Sequence, residues 1–281
     1  MTTRSTEVNE PTVRAIISAA RAVPIRSHAR GAWICAGLSG LLLWASFPPL
    51  DWGSLGWIAL VPLLLLVRPA QQPRGTLVST LVCGLLSQLC SLQWLRYGDP
   101  AMYFAWLALA VYTSLYFPVF VLLCRSAVHR FRVPFTLAVP TIWVGLEFLR
   151  AHLMTGFSWY YLGHTQYRFI ELIQVSDLVG AYGVSFIVAT SAAALAGILP
   201  ESLLARIGIV PRQDPALVEG QPRLINRRSV GAVGVSLSLV AAALVYGSVR
   251  RSQAAFTMGP RIALIQGNFT SEVKHDQSEA L

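Results

Sequence analysis

The sequence is short of charge. Its 22 basic and 13 acidic side chains make up 12% of 281 residues, about half the share usual in soluble domains. That scarcity argues against a soluble enzyme and against a disordered chain. Lysine occurs once, at Lys274. Cysteine occurs four times, at Cys35, Cys83, Cys90 and Cys124, with no C-x-x-C and no histidine at metal-ligand spacing. A disulfide scaffold and a cysteine-based metal site are therefore not expected. The four read as small apolar packing residues, because a reactive thiolate needs a partly exposed, electropositive setting. No G-x-G-x-x-G phosphate loop is present. No internal repeat is visible either, so an inverted-repeat transporter gains no support. No cofactor is expected.

What is present is apolar. The hydrophobic fraction is 54% and the mean hydropathy is +0.56, values that fit a chain solvated by lipid. The net charge of +9 lies on tails and between apolar runs. It forms no basic, aromatic-studded face, so nucleic acid is not an expected partner.

Seven runs read as membrane spans: about 33–47, 53–67, 75–95, 101–124, 134–150, 176–199 and 229–249. The first two are short and are joined by Phe47-Pro48-Pro49-Leu50-Asp51. The only charges inside the seven runs are Glu147, Arg150 and Asp177, all at or near span ends. With the N-terminus taken as cytoplasmic, 15 of the 22 basic residues fall on inside segments. This bias predicts N-inside and, after seven spans, C-outside. The pair Arg250-Arg251 beyond the last span runs against it.

The segments between spans differ in kind. Residues 1–31 form a basic tail, and Val13–Val23 fits either a surface-lying amphipathic helix or a secretory signal. Segment 200–228 is rich in Pro and Arg and reads as an irregular inside loop. Segment 152–175 is aromatic and too short to span, so it is expected at the interface or dipping back into the membrane. Arg261-Ile262-Ala263-Leu264-Ile265-Gln266-Gly267-Asn268 reads as a short buried strand ending in a turn. A lone strand is unstable in water, so it is expected to open a soluble domain that is incomplete by Leu281. The expected divisions are 1–31, 32–250 and 251–281.

Few polar residues stand out. Glu147 and Arg150 are i, i+3 on one helix face. They read as a structural ion pair, as braces for the aromatic loop, or as contacts to a headgroup or peptide; intramembrane charge favours some specific role. Trp159 reads equally as an interfacial anchor or as a wall of a lipid cavity. Gln166 shares its loop, and His164 there reads as solvated. Asp177 suits a helix N-terminus, and Gly180-x-x-Gly183 suits close helix packing.

Five segments in order carry a family resemblance. They are Phe47-Pro48-Pro49 before Gly56–Pro62; Trp143-x-x-x-Glu147-x-x-Arg150; Gly156-Phe157-x-Trp159-x-x-Leu162-Gly163-x-x-Gln166 after Thr155; Asp177 to Phe186; and Ile265-Gln266-Gly267-Asn268 with Lys274-x-Asp276. Across about 33–276 the chain resembles the N-terminal half of bacterial apolipoprotein N-acyltransferases. The resemblance implies an α-helical polytopic membrane protein of about seven transmembrane helices, followed by the start of a truncated nitrilase-like α/β domain outside the bacterial inner membrane. It implies a phospholipid as acyl donor and the N-terminal diacylglyceryl-cysteine amine of an apolipoprotein as acceptor. In that family a Cys forms a thioester, a Glu is general base and a Lys steadies the oxyanion.

All three family residues lie downstream of the Gln-Gly-Asn segment. Lys274 matches the family's Lys-Trp-Asp turn, with His275 in place of the Trp, rather than the catalytic lysine. No catalytic residue is therefore assigned here, and the chain alone is expected to be inactive. The substrate-binding or bracing candidates are Glu147, Arg150, Trp159, Gln166 and Lys274. The alternative is a non-catalytic membrane-docking module that needs a separate soluble catalytic chain.

Overall fold

The computed structural model describes residues 29–97, 99–154, 156–210, 227–253 (side chains from 230) and 259–264. Helices lie over all seven predicted runs: α1 (Ala29–Ala45), α2 (Gly53–Leu65), α3 (Thr76–Ser91), α4 (Met102–Arg130), α5 (Phe135–His152), α6 (Ala181–Ile198) and, after the short α7 (Glu201–Ile207), α8 (Arg227–Gln253). Among the described residues, three stretches are long and apolar enough to cross a membrane: Met102–Arg130, Ala181–Ile198 and Val230–Gln253. Helices α1, α2 and α3 are apolar but shorter. Helix α2 is broken at Leu60, and Pro62 opens its second half, a position where a missing N–H costs nothing.

Helix α6 stands at the centre. It packs against α5, α8, α2 and the loop before it. Its buried positions are mostly small, with Ser185, Ala189, Ala192, Ala193 and Ala196 facing neighbours. Small side chains let helix backbones approach closely, which is how bundles gain contact where lipid removes the hydrophobic drive. Larger apolar residues complete the same core: Leu63, Leu64, Leu66, Phe120, Val121 and Val139. Many others point outward, among them Leu41, Leu86, Phe104, Leu237 and Val245. An apolar exterior is what a lipid-facing bundle requires.

Two arginines close helix ends at one end of the bundle. Buried Arg125 donates to the carbonyls of Leu66 (2.8 Å), Pro69 (2.9 Å) and Ala70 (3.0 Å). Arg68 donates to those of Ala196 (2.9 Å) and Leu199 (2.6 Å). Arg68 satisfies carbonyls that the end of α6 leaves free, and Arg125 satisfies one at the end of α2 and two in the turn beyond it. The same arginines counted above as topology signals are thus also caps.

Among the described residues there is no strand. Residues 261–264 take no regular structure, and Ile262 and Leu264 are exposed. The expected buried strand is not formed at these four positions, because the described residues offer no sheet edge to pair with them. The rest of that segment, with Lys274, and the predicted helix Val13–Val23 lie outside the described residues.

Candidate functional site

The loop between α5 and α6 folds over the end of the bundle opposite the arginine caps. Four of the quoted sequence segments meet in it. Glu147, near the end of α5, is buried. Its Oε1 accepts from Trp143 Nε1 (2.8 Å), one turn earlier on the same helix, and from the Leu162 backbone N–H (2.7 Å) across the loop. Arg150 is also buried and donates through one terminal nitrogen to the carbonyls of Trp159 (2.9 Å) and Tyr160 (3.3 Å). Its guanidinium lies over the rings of Phe157 (5.8 Å) and Tyr161 (5.5 Å), a favourable cation–π geometry. No direct ion pair joins Glu147 to Arg150. The expected i, i+3 pair is replaced because both side chains turn toward loop backbone that has no other partner there.

Gln166 is fully buried. Its Oε1 accepts from Trp57 Nε1 (2.8 Å) and its Nε2 donates to the Gly53 carbonyl (2.8 Å), so it fastens the loop to the start of α2. Gly163 completes the seam: its N–H donates to Ser185 Oγ (2.8 Å) on α6. A Cβ at Gly163 would stand 2.6 Å from the Ala181 carbonyl oxygen and 2.9 Å from the Ser185 nitrogen, so only glycine lets the loop lie this close.

Trp159 takes a different position. It is 55% exposed and stacks on Trp94, with ring centroids 5.0 Å apart and planes 19° apart. Its neighbour Tyr160 turns inward through a left-handed backbone (φ 59°). The Tyr160 hydroxyl donates to the Ser91 carbonyl (2.7 Å) and accepts from Trp94 Nε1 (3.0 Å). The loop therefore presents one aromatic outward and anchors the next. His164 is exposed.

Charged pairs ring this end. Asp51 accepts from the Tyr167 hydroxyl (2.6 Å) and pairs with Arg168. The Tyr167 hydrogen bond first, and then Arg168, hold the Asp51 carboxyl below the usual carboxylate range. Arg251 pairs with Glu171, and Asp177 pairs with Arg250 (2.8 Å) and Tyr246 (2.7 Å). Asp177 lies in a short helix, Ser176–Val179, just before α6; it ties that segment to α8 and makes no side-chain cap there. Arg250 and Arg251, which ran against the charge bias, lie on the loop side with acidic partners.

Beneath the loop a cavity of about 50 Å³ is lined by Leu43, Phe47 and Phe117 and by the polar Gln88, Ser91, Glu147 and Arg150. Among the described residues no group of His, Cys, Asp and Glu is placed to hold a metal ion. Cys35 and Cys124 are buried, and none of the four cysteines lines the cavity. Of the sequence candidates, Glu147, Arg150, Trp159 and Gln166 are brought together around one loop. Sequence reasoning gave no role to Trp143 and Ser185, which stood inside the quoted segments. It also missed Trp94, which carried no signal beyond its type.

Comparison with known proteins extends this picture. Residues 39–194, more than half of the chain, match the family described as the apolipoprotein N-acyltransferase N-terminal domain. An apolipoprotein N-acyltransferase of Rhodopirellula baltica is 33% identical over 258 residues, 87% of this chain and 42% of that protein. One of Geobacter metallireducens is 33% identical over 269 residues, 92% of this chain and 46% of that protein. One of Pasteurella multocida is 27% identical over 179 residues. The chain spans less than half the length of these relatives.

Proposed function

Because the chain belongs to the apolipoprotein N-acyltransferase family, we propose that it forms the membrane platform of an enzyme moving a phospholipid acyl chain to the N-terminal diacylglyceryl-cysteine amine of a lipoprotein. The observation that carries this reading is the convergence of four family segments on one loop. Glu147 and Arg150 on α5 and Ser185 on α6 fix that loop, Gln166 within it fastens to Gly53 at the start of α2, and Trp159 is left at its surface. A surface aromatic held by rigid, buried polar groups suits the water–lipid boundary, where a lipid donor and a lipidated peptide must meet.

In this reading all seven apolar helices, α1 to α6 and α8, cross a bacterial inner membrane. The arginine-capped end faces the cytoplasm and the loop faces out. Residues 1–31 form an inside tail, 32–250 the membrane domain, and 251–281 the start of an outer nitrilase-like domain. The nucleophile is not one of Cys35, Cys83, Cys90 or Cys124, and Lys274 belongs to the turn rather than to the catalysis. The 281 residues by themselves transfer no acyl group.

The test is depletion of the protein in its own organism, followed by mass spectrometry of lipoprotein N-termini. Loss of the amide-linked acyl group supports the reading. Fully acylated lipoproteins after complete depletion would refute it.

A further inference from the structure

The two ends of the bundle differ in charge. Five of the six described carboxylates, Asp51, Asp99, Glu147, Glu171 and Asp177, lie at the loop end. At the other end Arg30, Arg74, Arg130, Arg132 and Arg206 join the caps Arg68 and Arg125, and Glu201 is the sixth carboxylate. That end also holds a cavity of about 570 Å³, partly open to the surface and within the size range of small-molecule sites. It lies between the turn from α2 to α3 and the short α7. Arg68, Gln71, Gln72 and Arg74 form its polar side, and Leu204, Ile209 and Val210 its apolar side. Exposed Glu201 is the one carboxylate in the lining, so two arginines against one carboxylate leave the cavity a single positive charge in excess. Arg68 is held in place by its Nη1, which is bonded to the Ala196 and Leu199 carbonyls.

We propose that this cavity binds the headgroup of an anionic phospholipid, with its phosphodiester between Arg68 and Arg74, its headgroup hydroxyls toward Gln71 and Gln72, and its glycerol and first chain carbons along Leu204, Ile209 and Val210. A phosphodiester carries the one negative charge that the lining lacks, and its oxygens accept from guanidinium N–H groups in charge-assisted bonds. A hydrocarbon stem suits the apolar wall, which a free phosphate would leave uncovered. A zwitterionic lipid brings an ammonium group that the surrounding arginines repel, whereas an anionic lipid does not. Basic pockets between helices at a membrane surface recognise lipid in this way. The cavity lies at the end of the bundle away from the loop, so the inference does not rest on the acyl-transfer reading.

The test is native mass spectrometry of the purified protein in detergent, offered phosphatidylglycerol and phosphatidylcholine in equal amounts. Phosphatidylglycerol should be retained several-fold more than phosphatidylcholine. Arg74→Gln should cut that retention several-fold. Arg132→Gln, at an exposed arginine of the same end that does not line the cavity, should leave it unchanged. Gln72→Glu sets a second carboxylate in the lining at an exposed position and should also cut it, which keeps the test decisive if Arg74→Gln folds poorly. Equal retention of the two lipids overturns the proposal. So does an equal loss in Arg74→Gln and Arg132→Gln, which means a diffuse basic surface in place of a site. Displacement of the lipid by glycerol 3-phosphate or inorganic phosphate at the same concentration overturns it too, because the ligand is then a soluble phosphate.

Discussion

Glu147 and Arg150 stand one helical turn apart on α5 and hold opposite ends of one short loop segment, Glu147 at the Leu162 amide and Arg150 at the Trp159 and Tyr160 carbonyls. An acceptor meets a donor at one end, and a donor meets acceptors at the other. The segment between them carries the left-handed Tyr160, a conformation that a bulky residue keeps only where its surroundings over-determine it.

Glu147→Leu should lower thermal stability markedly. The Leu162 N–H would lose its acceptor in a buried place, at a cost of about 1–3 kcal/mol. Glu147→Gln keeps an acceptor oxygen and should lose less. Thermal unfolding of both variants in one detergent checks the order; equal losses would contradict the clamp.

Arg150→Lys should loosen the loop without unfolding the bundle. A compact ammonium lacks the flat guanidinium face that lies over Phe157 and Tyr161 and fixes the nitrogen bonding both carbonyls. Charge-assisted bonds contribute about 1.5–3 kcal/mol each, and 1.4 kcal/mol is a factor of ten. Amide hydrogen exchange of residues 156–161 should therefore quicken by about tenfold or more, with α6 unchanged. Unchanged exchange in the loop would count against the arrangement.

Gly163→Ala should destabilise the protein, because its Cβ would press on the Ala181 carbonyl and the Ser185 amide. Backbone cannot move aside as a side-chain tip can, and overpacking typically costs about 1–3 kcal/mol. Gly145→Ala is the control: nothing lies within 4 Å of its Cβ position, and no loss is expected. The comparison is made by thermal unfolding side by side.

Acid should release the Asp51 tie. Its folded pKa is depressed by Tyr167 and Arg168. Its contribution is thus present above the unfolded value of about 3.9 and is lost as pH falls through the lower folded value. Stability measured from pH 7 downward should drop below about pH 4, and Asp51→Asn should show a smaller drop at that edge. An identical acid slope in the variant would exclude the tie as its cause.

Opposite ends should label from opposite sides. Ser158→Cys and Gln72→Cys place thiols at exposed positions on the loop end and the arginine end. A membrane-impermeant maleimide should modify Ser158→Cys in intact spheroplasts and Gln72→Cys only after lysis. The reverse pattern would invert the proposed orientation.

The location of the helices could be read directly from the sequence. Long apolar runs almost free of charge have few alternatives in lipid, since every backbone group must be bonded within its own segment. The residues worth attention could be read too: Glu147, Arg150, Trp159 and Gln166 stood out as polar or aromatic groups at the ends of apolar runs. Their partners could not. Spacing of i, i+3 on a helix allows an ion pair, and nothing local to α5 says that a loop backbone will arrive to compete for both side chains. Gln166 and Gly53 lie 113 residues apart, and Trp94 and Trp159 come from separate interhelical segments. Such contacts depend on how helices pack, which no short-range pattern encodes. The sequence by itself determined that this is a helical membrane protein and which few residues depart from an apolar rule. The tertiary structure decided that Glu147 and Arg150 hold a loop rather than each other. Unpaired backbone groups buried at the bundle's end attract charged side chains more strongly than those side chains need one another.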